Sequence, residues 1–444
     1  MLRRSAEECL ALADAVLAAV PHGEAEVLVT EDDLALTRFA RNIVHQNVAD
    51  TGLSLRLRLV AGGRVGVAEL HGGAADAIER LVGNAEEARR LAPAQDDLAP
   101  LPEPGGGDGD GPCGWSDATA AATPERRAEG VGTVIAAAAA RGLEAFGALS
   151  TRSTRRAVVN SRGLRRHGQV TAASLSAVVR GEDGAGYADR HAVDVDDLHP
   201  AAVAAEVVET AERNQGARPA EPGEYEVVLA PYAVQEMVAY LSYIGFSALA
   251  VQEHRSFMRR GERLMSPEVG IRDDAADPLA RPFPFDFEGV STRRVTFVEQ
   301  GVCRDVVYDT PTAIRDGVAS TGHALPQPNT IGPWATHLVM DPGTTPVPEL
   351  VAGVRRGLYV TRLWYVRVVH PLRTVITGMT REGTFLIEDG RLGAPVRDLR
   401  FTQSIVEALS RVRGISDERR LELGEDGSAV LVPWVRLESF RFTS

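Results

Sequence analysis

Lysine is missing from this 444-residue chain, and all 48 of its basic residues are arginine. That excludes a Schiff-base lysine, a Ser-Lys dyad and a P-loop, each of which depends on a lysine amine. The glycine-rich run Gly105 to Gly111, GGGDGDG, therefore cradles no phosphate by the P-loop route, and its aspartates would repel one. Cysteine is scarce: Cys9, Cys113 and Cys303 form an odd set without framework spacing, which fits a reducing compartment better than a secreted disulfide scaffold. Positive charge is in deficit, and a formal net charge of −13 argues against a nucleic-acid-binding surface. No uncharged apolar run approaches the ~20 residues needed to span a bilayer. Glu7, Glu8 and Asp14 interrupt any signal-peptide core in the opening MLRRSAEECLALADAVL. A cytoplasmic protein with no nucleic-acid or membrane partner is expected.

What is present reads as an ordinary globular composition, 44% hydrophobic and 25% charged, with length enough for two or three cores. Ser5 and Glu8 form a capping-box pattern ahead of an apolar face at Leu10, Ala13, Val16, Leu17 and Val20. Glu24 to Thr30 and Leu34 to Phe39 read as paired strands. Leu53, Leu55, Leu57 and Leu59 alternate with arginines, the period of a half-buried strand that a Gly62-Gly63 turn returns through Val65 to Leu70. A helix follows over 74–91. The stretch 93–114, rich in Pro, Gly and Asp, reads as a mobile surface linker. Thr123-Pro124 opens a helix that Gly142 closes, Asn160 to Gly163 reads as a hairpin turn, and Pro200 starts a helix reaching about Asn214. The six arginines between Arg152 and Arg166 lack interleaved aromatics and read as exposed faces of that hairpin. The expected fold class is α+β in two domains. Residues 1–220 form an α+β domain of antiparallel strands and helices, and 221–444 form a β-rich domain, with the boundary at Pro219 to Gly223.

The second half carries the most specific wording. Gly357 to Ser404 is a run of β-branched and aromatic residues broken by turn signals at Thr377-Gly378 and Asp389-Gly390. With Ala319 to Pro326 (ASTGHALP), Val432 to Ser444 (VPWVRLESFRFTS) and Gly223 to Asp274, this stretch resembles the TldD/PmbA family, proteins linked to peptide processing. In the metal-bearing subunits of that family a helix carries His-Glu-x-x-x-His, and a cysteine near the C-terminus completes a zinc site. Two imidazoles and a thiolate hold the ion, and the glutamate takes a proton from bound water. The matching helix here follows Glu224 to Ala230 and starts at Pro231. Its motif window falls at about Ala239 to Ile244, AYLSYI, or in another register at Gln235 to Tyr240, QEMVAY; neither contains a histidine. No cysteine follows Cys303, and His254 alone makes no site. The resemblance thus implies a metal-free chain of the TldE/PmbA type. Zinc is expected only in a TldD-like partner subunit, and the assembly is expected to be a dimer with that partner or with itself, acting on peptides.

Ser320-Thr321-Gly322-His323 could supply a nucleophile and base with Asp309 or Asp316 as orienter, but no G-x-S-x-G elbow accompanies it. A structural or substrate-groove loop is the preferred reading, with Thr321, Gly322, His323 and Asn329 as possible groove residues and no catalytic residue assigned. Asp273, Asp274 and Asp277 lack EF-hand spacing and read as a solvated loop. Tyr359, Trp364 and Tyr365 read as sheet packing. The leading function is a non-zinc subunit supporting hydrolysis by a metal-bearing partner. The alternatives are a stand-alone hydrolase with other catalytic residues, and a binding module for peptides or small molecules.

Overall fold

The protein is described here from a computed structural model covering residues 4–96, 98–105, 114–277, 279, 283–424 and 427–444. Six antiparallel strands build the first sheet: β1 (Glu24–Ala40), β2 (Ile43–Ala61), β3 (Arg64–His71), β4 (Glu144–Asn160), β5 (Arg165–Arg180) and β6 (Ala185–Ala192), in the order β3-β2-β1-β4-β5-β6. Strand alternation gives this sheet two faces of different character. On one face Val27, Val29, Leu55, Leu57, Leu59 and Val159 pack beneath α1 (Ala6–Ala18) and α2 (Ala77–Leu91). Further along the same face, Leu149, Leu175, Ala177 and Val179 pack beneath α3 (Pro124–Ala139) and α4 (Pro200–Arg213). The opposite face carries Glu26, Leu28, Arg58, Arg156, Val158, Tyr187 and Asp189 and turns toward the second half, where Phe285 meets Leu28 and Val158.

Local chemistry sets the helix starts. Ser5 accepts from Glu8 N while the Glu8 carboxylate accepts from Ser5 N at 2.6 Å, a reciprocal cap. Thr123 caps α3, with Pro124 at its first position. The stretch read as two paired strands, 24–30 and 34–39, is instead one 17-residue strand. Its acidic middle is no turn because each acid has a partner: Glu31 pairs with Arg4, Asp32 with Arg152, and Asp33 accepts from Thr51. The arginines of the β4–β5 hairpin are likewise engaged, Arg162 with Glu24, Arg165 with Asp14 and Arg166 with Ser291. Part of the expected linker, 106–113, and with it Cys113, lies outside the described residues. The described part is anchored, with Leu101 buried and Asn160 Nδ2 donating to Pro102 O at 2.8 Å.

The second sheet begins with β7 (Gly223–Leu229), which leads into α5 (Pro231–Gly245). Strands were expected to dominate from there onward. Residues 246–355 instead run mainly as loops with short strands at Ile271–Asp273, Val295–Glu299 and His337–Met340. Long strands return with β8 (Arg356–His370), β9 (Val375–Glu388), β10 (Arg400–Ser404), β11 (Val412–Leu423) and β12 (Ala429–Phe442). β7 pairs in parallel with β8 and antiparallel with β12, and β8–β9, β9–β10 and β10–β12 close a ring of five strands. α5 is buried nearly all round, its Met237, Val238 and Leu241 packing with Val227, Leu358, Val432 and Phe440. Asp389-Gly390 makes the expected tight turn, with φ 47° and 75°. Thr377-Gly378 does not turn: Gly378 sits inside β9, where a side chain would meet the Phe401 ring.

Candidate functional site

α5 presents Gln235, Glu236, Ala239, Tyr240 and Tyr243 along one side of a groove of about 510 Å³, with Trp334, Arg367 and Val368 opposite. These five positions fall at helical spacing, so one face of an otherwise buried helix reaches the groove. Tyr243 links two edge-to-face ring contacts, with Tyr240 at 6.3 Å and Trp334 at 6.0 Å between centroids. Tyr240 Oη donates to Val366 O, and the Arg367 guanidinium lies 4.7 Å over the Tyr365 ring. Zinc requires imidazole, thiolate or several carboxylates. The groove lining contains no histidine or cysteine and a single carboxylate, Glu236, so it does not fit the ion. His254 is exposed on the surface, and no ligand role falls to it.

The Ser320 to His323 loop lies on the far side of Trp334, which also lines a second cavity of about 330 Å³. Gly322 and His323 line that cavity; Thr321 and Asn329 do not. Gly322 adopts φ 73° and a Cβ there would fall 2.3 Å from Ser291 O, so backbone geometry requires glycine. The His323 ring is buried, with Nδ1 2.9 Å from Thr321 Oγ1 and Nε2 3.1 Å from Asp273 Oδ1. The latter is an ion-pair contact that misses hydrogen-bond alignment. Neither Asp309 nor Asp316 orients this imidazole: Asp309 caps the short helix Thr310–Asp316, and Asp316 accepts from Tyr308 Oη. Ser320 Oγ donates to Tyr308 O rather than to a base.

Asp273 is the hub of this loop. Its Oδ2 accepts from Thr336 N at 2.9 Å and His337 N at 2.8 Å. Burial alone would raise its pKa, but the neighbouring His323 ring and the His337 residue, whose N–H it accepts, outweigh burial and hold it below the ordinary value. Burial pushes the neighbouring His337 down to about 4. Asp274 and Asp277 are also buried and paired, with Arg272 and Arg419, so the expected solvated loop is a packed one. Asn329 Oδ1 accepts from Ile331 N and Gly332 N, and its Nδ2 donates to Gly332 O, which makes it a loop-shaping residue. Arg56 of β2 donates to Gln327 O at 2.7 Å and ties the loop to the first sheet.

Sequence reasoning missed Tyr243, Trp334 and Arg367. The (i, i+4, i+8) set Gln235, Ala239 and Tyr243 was the available signal, but it is indistinguishable from core without knowing which face is open. Trp364 and Tyr365, read as packing, are exposed at 39% and 66% along β8 with Val369 beside them.

Comparison with known proteins assigns the class. The model for the PmbA/TldA metallopeptidase C-terminal domain matches residues 222–444, and that for the central domain matches 119–215. The chain belongs to the PmbA/TldD family. The crystal structure of TldE from Thermococcus kodakarensis superposes with a TM-score of 0.87 at 20% identity, covering 99% of each chain, a likeness of fold. A metalloprotease of Methanothermobacter thermautotrophicus is 27% identical over 38% of this chain and 37% of its own length. A metalloprotease TldD homologue of Haemophilus influenzae is 25% identical over 37% of this chain and 34% of its own. The aligned region thus spans about a third of these relatives. Among the described residues no helix is long and apolar enough to cross a membrane.

Proposed function

We propose that this chain is the non-zinc, TldE/PmbA-like subunit of a two-subunit peptidase, shaping a peptide channel while a metal-bearing TldD-like partner performs hydrolysis in the cytoplasm. The observation that carries the reading is the groove beneath α5. It occupies the helix on which the family places its zinc ligands, yet it offers aromatic rings and one carboxylate in their place. A groove of this size lined by rings can hold an extended peptide without activating water. Exposed Trp364, Tyr365, Val369, Leu372 and Met379 on neighbouring β8, β9 and their connection give the apolar surface that a lasting subunit contact needs.

The test is reconstitution. Light scattering on the isolated chain, then on a mixture with a metal-bearing relative from the same organism, should show a stable pair with chelator-sensitive peptide hydrolysis. The isolated chain should show none. A strictly monomeric chain that fails to co-elute with any such relative would overturn the reading. So would chelator-insensitive turnover by the chain alone, abolished by His323→Ala.

A further inference from the structure

A second group of metal-type donors lies away from both cavities, at the seam between the sheets. Asp189 and His191 are two apart on β6, so both project from the face that turns toward the second half. There they meet Glu422 of β11, and one ligand atom from each of the three lies within 4.8 Å of the others. His191 Nε2 stands 3.3 Å from Asp189 Oδ2. That matches the roughly 3.0–3.5 Å between two ligands each ~2.1 Å from a shared ion.

The charges around the group are already committed elsewhere. Arg420 reaches Glu206 through both terminal nitrogens and also reaches Tyr232 Oη. Arg190 reaches Glu206 and the Asp189 carbonyl. Neither guanidinium forms an ion pair with Asp189 or Glu422, although these residues are only 7% and 2% exposed. Asp189 Oδ1, His191 Nδ1 and Glu422 Oε1 are shut off from solvent without a hydrogen-bond partner. Tyr187 Oη donates at 2.6 Å to Asp189 Oδ2, the same oxygen that stands 3.3 Å from His191 Nε2, and orients that carboxylate while Oδ1 is left open. Two buried carboxylates side by side are costly unless a proton or a cation joins them. Burial and the Asp189 charge push Glu422 well above the ordinary carboxylate range, against the opposing pull of Arg420 and Arg190, so a bound cation would take the place of a shared proton.

We propose that Asp189, His191 and Glu422 form a binding site for one divalent transition cation of the Zn²⁺ or Mn²⁺ class, clasping the two sheets together. One imidazole and two carboxylates suit these ions, whereas calcium prefers oxygen alone and soft ions prefer sulfur. The ion assigned here is structural. It revises the expectation of a metal-free chain but leaves the peptidase zinc in the partner subunit, so the two readings stand or fall separately.

The probe is Co²⁺, followed by Zn²⁺ and Mn²⁺ chloride, added to the full chain after chelator treatment. A visible d–d band saturating at one equivalent of Co²⁺ is expected, with a Tm raised by several degrees under excess Zn²⁺. His191→Ala and Glu422→Gln should each weaken binding at least ~10-fold and abolish the Tm shift, while His254→Ala changes neither. If the seam variants fail to fold, X-ray absorption of the Zn²⁺-loaded native chain decides. A single imidazole with otherwise oxygen ligands supports the site; two or more imidazoles, or sulfur, overturn it. Failure to bind any of the three ions, or binding undiminished in both seam variants, also overturns it.

Discussion

The α5 groove and the sheet seam divide between them what a metallopeptidase keeps in one place. The groove is open, large enough for a peptide and lined by Tyr240, Tyr243 and Trp334, but it has no metal-type donor set. The seam gathers an imidazole and two carboxylates, yet they are closed in between β6 and β11. The His323 loop is a third arrangement, donor-rich and buried with its partners engaged. Among the described residues the α5 groove and the donor set of the seam lie apart, and where His323 does line a cavity its ring is already held by Thr321 and Asp273. That is the pattern expected of a subunit that holds substrate for another, because hydrolysis needs the activating group and the peptide at one point.

The sharpest way to break this comparison is to open the closed loop. Asp273 accepts from two backbone N–H groups and faces the buried His323. Asp273→Ala should cost about 3 kcal/mol, since it leaves His323 Nε2 and two backbone donors buried without partners while Nδ1 keeps Thr321 Oγ1. Denaturant unfolding measures this; a loss under about 1 kcal/mol would mean that Asp273 does not lock the loop.

The buried acids where β1 faces the second half, Glu26 beside Arg58 and Glu288, give a second, pH-dependent contrast. Burial, opposed by Arg58, pushes Glu26 up to about 8, and burial with the Glu288 charge pushes Asp286 to about 8. Between about pH 4.5 and 8 both acids are protonated in the fold and ionised in the unfolded chain. The folded state then binds more protons, and stability falls as pH rises through that interval. His337 acts in the opposite sense: held at about 4, it loses stability as pH falls from 6.5 toward 4. Glu26→Gln should flatten the alkaline limb and raise stability at pH 8 by about 2 kcal/mol. A stability curve that rises steadily from pH 5 to 8 in the native chain would contradict this assignment.

The groove predicts function without stability. Tyr243 is 59% exposed, so Tyr243→Ala should change folding by no more than about 0.5 kcal/mol. In the reconstituted pair it should raise the peptide KM about 10-fold, roughly 1.4 kcal/mol of binding. An unchanged KM would remove the groove from the substrate path.

The elements that local chemistry dictates were legible in sequence. The Ser5–Glu8 box, the Thr123-Pro124 start, the Asp389-Gly390 turn and the Pro231 helix all appear where their residues placed them. Readings failed where a residue's meaning depends on a distant partner. Glu31-Asp32-Asp33 suggested a break in β1 until Arg4, Arg152 and Thr51 neutralised it, and those partners lie up to 120 residues away. Asp273 looked solvated for the same reason, its donors lying more than 60 positions downstream. At the seam, Asp189-x-His191 is visible as an alternating pair, but nothing in sequence brings Glu422 to it. The absence of histidine from α5 is read from the sequence alone, because a missing residue needs no fold to be seen.

Asn329 separates loop shape from substrate contact at the smallest scale. Its side chain accepts from Ile331 N and Gly332 N and donates to Gly332 O, all within the loop that carries Trp334 toward the groove. Asn329→Ala deletes both acceptor bonds at a partly buried position and should cost about 1 kcal/mol. Asn329→Asp turns the donation to Gly332 O into a contact between two acceptors but strengthens the two bonds accepted from Ile331 N and Gly332 N, so the effects offset and the net cost should stay within a few tenths. If the residue acts only through loop shape, KM in the reconstituted pair should follow the same order, with Asp close to native and Ala modestly raised. A direct peptide contact through Nδ2 reverses the expectation: Asp would then impair binding as much as Ala while leaving stability intact.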